Sequence, residues 1–165
     1  MERAMHVIVI LAAAAFVWAT GQNLPDLVAS RFGASGAADA RMPREAYVRF
    51  MAALTAIVPL VLAWLPGWTI RAPGARIKIP NADVWLSHDR VEGTLDFLSI
   101  HFGRLGVLSA LLMLRVHLLV VQANASRPPR LANGPFVSTL VLFAVGLVGW
   151  IVWMNLRFKR PADGE

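Results

Sequence analysis

Cysteine is absent from this 165-residue chain, which removes disulfides, thiolate metal sites and cysteine nucleophiles together and leaves the redox compartment open. Charge is scarce as well: 16% of the residues are Asp, Glu, Lys or Arg, against about 25% in a soluble domain. Lysine is nearly missing, with only Lys78 and Lys159, so arginine carries most of the net charge of +6. No Ser-His-Asp order, phosphate-cradling loop or pair of carboxylates within an apolar run occurs. Enzyme chemistry is therefore unsupported, and neither a catalytic residue nor a cofactor is assigned. A basic stripe interleaved with aromatics is lacking too, which argues against nucleic acid as a partner.

What the chain has in quantity is apolar sequence: 57% of the residues are hydrophobic, and mean hydropathy is +0.57. These residues gather into long runs. A helix that crosses a membrane needs about 20 of them, because no backbone polar group can stay unpaired in hydrocarbon. Four runs qualify, at 5–22, 50–68, 98–122 and 136–156. They predict an all-α integral membrane protein with four transmembrane helices, in a single domain covering 1–165. The first run resembles a secretory signal peptide in length and basic start, but Val17-Trp18-Ala19 is a poor cleavage site, so an uncleaved span is expected. The second is uncharged, carries Pro59 where a kink is expected, and ends near Trp64 and Trp68, an interfacial aromatic pair. The fourth is uncharged and ends in Trp150 and Trp153 followed by a basic anchor, Arg157, Lys159 and Arg160. The third is interrupted by Arg115 and His117 and preceded by His101 and Arg104. Its helix is expected to start early, with Ser87 as N-cap and Asp89 and Glu92 at the positive helix end.

Orientation follows from the basic residues. With the N-terminus inside, the inner side collects Arg3, Arg71, Arg76, Lys78, Arg90, Arg157, Lys159 and Arg160, and the outer side Arg31, Arg41, Arg44, Arg49, Arg127 and Arg130. The bias is small, and the basic C-terminus tips it toward both termini in the cytoplasm. Residues 23–49 then form an outer loop holding Asp26, Asp39 and Glu45, residues 69–97 an inner loop, and residues 123–134 a short exposed turn. In the inner loop Pro73-Gly74 fits the centre of a type II turn, and Ile70, Ile77 and Ile79 can form one face of a short β-hairpin. Basic residues beside apolar runs make the lipid bilayer the first partner.

The outer loop reads Leu24-Pro25-Asp26-Leu27-Val28-Ala29-Ser30-Arg31-Phe32-Gly33-Ala34-Ser35-Gly36-Ala37-Ala38-Asp39. A span, then Leu-Pro, a short helix-like stretch, an aromatic and Gly-x-x-Asp resembles a bacterial membrane domain of unknown function, the N-terminal part of SdpI-type immunity and signalling proteins. The matching positions are Leu24, Pro25, Phe32, Gly36 and Asp39. The resemblance covers about the first 65 residues. The family pattern has a proline and then a histidine just before the aromatic, where this chain has Ala29 and Arg31, so metal or proton binding through that histidine does not carry over. The stretch Ile79-Pro80-Asn81-Ala82-Asp83-Val84-Trp85-Leu86 also looks like one that follows the second span in some relatives. The resemblance implies a bacterial cytoplasmic membrane and, in the SdpI type, binding of a toxic peptide and relay to a regulator.

Among single residues Arg115 is the most informative, because an arginine inside a span costs about 2.5–3.5 kcal/mol and usually faces protein or water. It is expected either to be clamped to the outer loop, with Asp26 among the candidate partners, or to relay charge. His117, about 200° around the helix from it, reads as an interfacial histidine. His101, Arg104 and Arg115 can line one face, with Arg104 reaching the inner headgroups. His88, Asp89, Glu92 and His101 lack a metal-ligand spacing, so no metal site is assigned. Gly146 and Gly149 form a small-residue patch for helix packing. The expected function is a non-enzymatic bacterial membrane protein that binds or senses through its outer loop, with Arg115 and the third helix conveying the event. The rival is an accessory or assembly subunit of a larger membrane complex, whose partners are other membrane proteins or further copies of itself.

Overall fold

The computed structural model describes residues 2–159; Arg160, counted above in the basic anchor, lies outside them. The order is α1 (Glu2–Gly21), β1 (Leu27–Phe32), β2 (Ala38–Pro43), α2 (Arg44–Thr69), α3 (Ala82–Trp85), α4 (Val91–Ala125) and α5 (Asn133–Lys159). Four of these helices, α1, α2, α4 and α5, are long and apolar enough to cross a membrane. Helices α2, α4 and α5 contain the whole apolar run that predicts them, and α1 starts before its run and ends at Gly21, one residue short of the run's end. Helix α2 starts at Arg44, directly after Pro43 closes β2, and Glu45 in its first turn pairs with Arg49 one turn on, at 2.9 Å. It continues through Pro59 and Pro66. Helix α4 does start before its apolar run, at Val91, without a side-chain cap; Ser87 contributes its carbonyl to the Val91 N–H instead.

Helices α1, α2 and α4 pack against one another along their length. One buried cluster at the hairpin end joins Val17, Leu24, Val28, Tyr47, Val48, Met51 and Val120. A second, midway, joins Ile10, Ala13, Ala63 and Ala110. There α2 and α4 nearly touch: a Cβ on Gly106 would lie 2.6 Å from the Pro59 carbonyl oxygen. Helix α5 is attached differently. At the end of the bundle where both termini lie, Met154 and Phe158 close on Leu98, with Trp150 against Phe102. Its half nearer the hairpin is largely exposed, and a Cβ on Gly146 or Gly149 would meet nothing. The expected packing role of those two glycines is therefore not seen; Gly106 performs it on another helix.

The β-hairpin lies in the first loop, where a helix-like stretch was expected, and residues 71–81 contain no strand. The type II turn at Pro73-Gly74 does form, with Gly74 at φ 75° and the Ala75 N–H on the Ala72 carbonyl at 3.0 Å. Its flanks do not pair because Ile70, Ile77 and Ile79 each bury against the Leu98–Phe158 cluster, which fixes their direction singly. In β1 and β2, pairing is antiparallel with Leu27 opposite Pro43 and Phe32 opposite Ala38, broken by irregularities around Arg31.

Candidate functional site

The hairpin is held to the bundle at both of its faces. Its turn is built by Gly33, whose N–H bonds the Ala37 carbonyl, and by Gly36 at φ 79°, a conformation glycine adopts without a Cβ penalty. Residues 123–134, expected to be a free turn, dock onto it. The Leu131 N–H bonds the Gly36 carbonyl at 2.9 Å, Arg130 reaches the Ser35 carbonyl at 3.2 Å, and Asn133 the Ala34 carbonyl at 2.7 Å. At the other face, the last turn of α4 supplies Asn124. Its Oδ1 accepts the Ala29 N–H at 2.8 Å and its Nδ2 donates to the Ala29 carbonyl at 3.0 Å. One side chain thus satisfies both backbone groups of a buried strand residue, as a neighbouring strand would.

Beneath the hairpin lies His117, fully buried rather than interfacial. Its Nδ1 is 3.1 Å from the Tyr47 hydroxyl and its Nε2 is 2.9 Å from the Thr20 hydroxyl oxygen. The Thr20 hydroxyl donates its proton to the Phe16 carbonyl at 2.7 Å, so toward His117 it accepts. That assigns the imidazole proton to Nε2 and leaves Nδ1 to accept from Tyr47. The result is one directional chain, Tyr47 to His117 to Thr20 to Phe16, tying α2, α4 and α1 together. Both ring nitrogens are used and no face is open, so this histidine is a brace. No sequence signal marked it: the 200° offset set His117 on the face opposite an arginine expected to face protein or water, and Tyr47 and Thr20 each stand just outside or at the end of an apolar run.

Arg115 itself is not clamped to the first loop. It is exposed on α4 and has no hydrogen-bond or ion-pair partner among the described residues. Asp26 instead pairs with Arg44 at 3.2 Å, and the Arg44 N–H takes the Asp26 carbonyl. Asp39 lies over Gly33, where a Cβ would meet its carboxylate at 3.0 Å. Leu24 is buried in the hairpin-end core, Phe32 packs on its edge, and Pro25 is exposed. His101 and Arg104 do meet: Arg104 donates to His101 Nε2 at 3.3 Å, while His101 Nδ1 donates to the Phe97 carbonyl at 2.7 Å. The His101 ring clusters with Phe97 and Trp153, with centroids at 4.0 and 5.0 Å, and those two rings also meet at 5.9 Å. Arg104 extends to Glu2 at 3.7 Å rather than away from the protein. Neither has a hydrogen bond to Arg115 among the described residues. Among the described residues no three His, Asp or Glu side chains converge as a metal site.

The hairpin end has an uneven charge. Arg44 and Arg49 are paired with Asp26 and Glu45. Arg31 and Arg41, both exposed on the strands, have no ion-pair partner among the described residues. Compared with protein-family models, with characterised proteins and with solved structures, the chain matches none.

Proposed function

We propose that the chain is a multi-pass protein of a bacterial cytoplasmic membrane, both termini in the cytoplasm, that binds or senses an acidic ligand or partner through its first loop. The observation that carries this reading is the reciprocal pair of hydrogen bonds between Asn124 and the Ala29 backbone. It makes the loop a shaped platform joined to the end of α4, and not a slack connection. Any event that shifts the hairpin pulls on a helix of 35 residues, about 52 Å long at 1.5 Å per residue. The far end of that helix carries Glu92 and Asp96, which bond arginines of α1 and of the chain after α2. Arg31 and Arg41 supply a cationic surface for recognition, since exposed unpaired guanidinium groups favour carboxylate or phosphate. The resemblance to SdpI-type domains on Leu24, Pro25, Phe32, Gly36 and Asp39 is a further reason for the reading. The conveying elements are Asn124 and the braced His117, in place of Arg115.

A photo-crosslinking residue at Ala34, on the exposed hairpin turn, tests it in cells of the source membrane. The expected outcome is a discrete adduct that Arg31→Glu/Arg41→Glu abolishes. An adduct indifferent to charge reversal, or no adduct, overturns the reading.

A second reading, an accessory subunit of a larger membrane complex, has its own observation. Arg115 is exposed within an apolar helix, and the apolar window of α5 has no buried residue. In a bilayer such an arginine needs a partner, which a neighbouring protein would supply. Crosslinks from Leu142 of α5 that disappear in Arg115→Leu would favour it over the hairpin.

A further inference from the structure

At the end of the bundle opposite the hairpin, α1, α2 and α4 leave a cavity of about 330 Å³. Its walls are of two kinds. Trp64, Trp68 and Ala63 make one side apolar, while Arg3, His6 and Arg71 bring nitrogen donors to its rim. Glycine keeps it open: Gly67 and Gly103 line it, and a Cβ on either would press on Ser99 or on the His6 ring.

The two arginines are held in place from outside the cavity. Arg3 and Arg71 both donate to the same oxygen of Asp96, at 2.8 and 2.7 Å, and Arg71 also donates to Glu92 at 3.1 Å. Neither carboxylate lines the cavity. A guanidinium has five N–H donors, so each arginine keeps several for another acceptor after these bonds are made. His6 makes no hydrogen bond among the described residues and adds a further ring nitrogen. Fixed donors with a shared counter-ion behind them, beside an open apolar wall, suit a tetrahedral oxyanion on an apolar tail. Tryptophans beside arginines are also what an interface between hydrocarbon and water selects.

We infer that this cavity binds a phosphate ester, the headgroup of an anionic phospholipid, with Arg3 and Arg71 on the phosphate and the acyl chain along Trp64. The lipid source rests on the bilayer reading above; phosphate recognition by the two arginines does not. Recovery of the chain in the membrane fraction tests that reading separately.

The test uses the full chain purified in an uncharged detergent. Native mass spectrometry measures binding of dioctanoyl phosphatidylglycerol, dioctanoyl phosphatidylcholine and inorganic phosphate. Phosphatidylglycerol is expected to bind, and Arg3→Gln/Arg71→Gln to weaken it about tenfold or more, as loss of charge-assisted bonds does. Arg157→Gln, at a different site, leaves it unchanged. Should the double variant misfold, Gly67→Leu fills the cavity while keeping both arginines, and is expected to abolish binding. Inorganic phosphate that displaces the lipid with the same arginine dependence keeps the site and makes free phosphate its ligand. Equal binding of phosphatidylcholine, or binding untouched by both variants, overturns the inference.

Discussion

At the scale of single residues, the chain of hydrogen bonds through His117 is the most exacting arrangement in the molecule. Every polar atom in it has a defined role: Tyr47 donates, Nδ1 accepts, Nε2–H donates, and the Thr20 hydroxyl both accepts and donates onward to Phe16. Removing one member strands its neighbour in a fully buried place, and an orphaned buried polar group costs about 1–3 kcal/mol. Tyr47→Phe strands Nδ1 of His117; His117→Leu strands the Tyr47 hydroxyl. Each is expected to lower stability by about that amount, while Tyr47→Phe/His117→Leu costs less than the sum, because in the double variant neither partner is left waiting. Thermal unfolding of the four proteins in one detergent measures the coupling. Strict additivity would mean the two side chains do not share a bond. A bond inside a membrane-type helix bundle averages only about 0.6 kcal/mol in such cycles, so a coupling near that value already supports the chain.

Among the elements, the crossing of α2 and α4 depends on Gly106 and the hold of α5 does not depend on its glycines. Gly106→Ala would place a methyl 2.6 Å from the Pro59 carbonyl oxygen and 2.8 Å from the Ala63 side chain. Backbone must move to admit it, and overpacking of this kind costs about 1–3 kcal/mol. Gly146→Ala meets open space on α5 and removes a helix glycine, a gain of about 0.5–1 kcal/mol. Opposite shifts in melting temperature are expected from the two substitutions, and a loss at both would place α5 against a surface the bundle does not provide. The helices were legible because an uninterrupted apolar run of span length has few other solutions. Which glycine serves as a contact was not, since Gly106 and Gly146 look alike until neighbours are known. The hairpin was misplaced for a related reason. Alternation in β1 is broken at Ala29 and Arg31, so its period-2 signal was lost, whereas Ile77 and Ile79 alternate yet bury against helices. The stretch Asn81 to Trp85 became intelligible only with α5 beside it: Asn81 and Trp85 both donate to the Phe158 carbonyl, at 3.1 and 3.0 Å, closing that helix end.

For the whole molecule, the fold constrains topology more tightly than charge does. The hairpin turn and the loop after α4 are bonded to each other through Gly36 and Leu131 and through Ala34 and Asn133. They must therefore occupy one side of any membrane. The Pro73-Gly74 turn, one helix away, must occupy the other. Basic residues alone separate the two sides weakly, but Arg104, left out of that count though expected near the inner headgroups, pairs with Glu2 at the terminal end and widens the excess there. The positive-inside tendency then favours the terminal end in the cytoplasm. Because the natural chain has no cysteine, single cysteines report cleanly. Ala34→Cys, Ala72→Cys and Arg127→Cys all replace exposed residues and are expected to react with an impermeant thiol reagent in intact cells as labelled, protected and labelled. The reverse pattern, with only Ala72→Cys labelled, would keep the bundle and invert its orientation, moving the hairpin to the cytoplasm and the phosphate cavity to the outer leaflet. Different behaviour at Ala34→Cys and Arg127→Cys would be more damaging, because no orientation of this fold separates them, and the docking of the third loop on the hairpin would have to be given up.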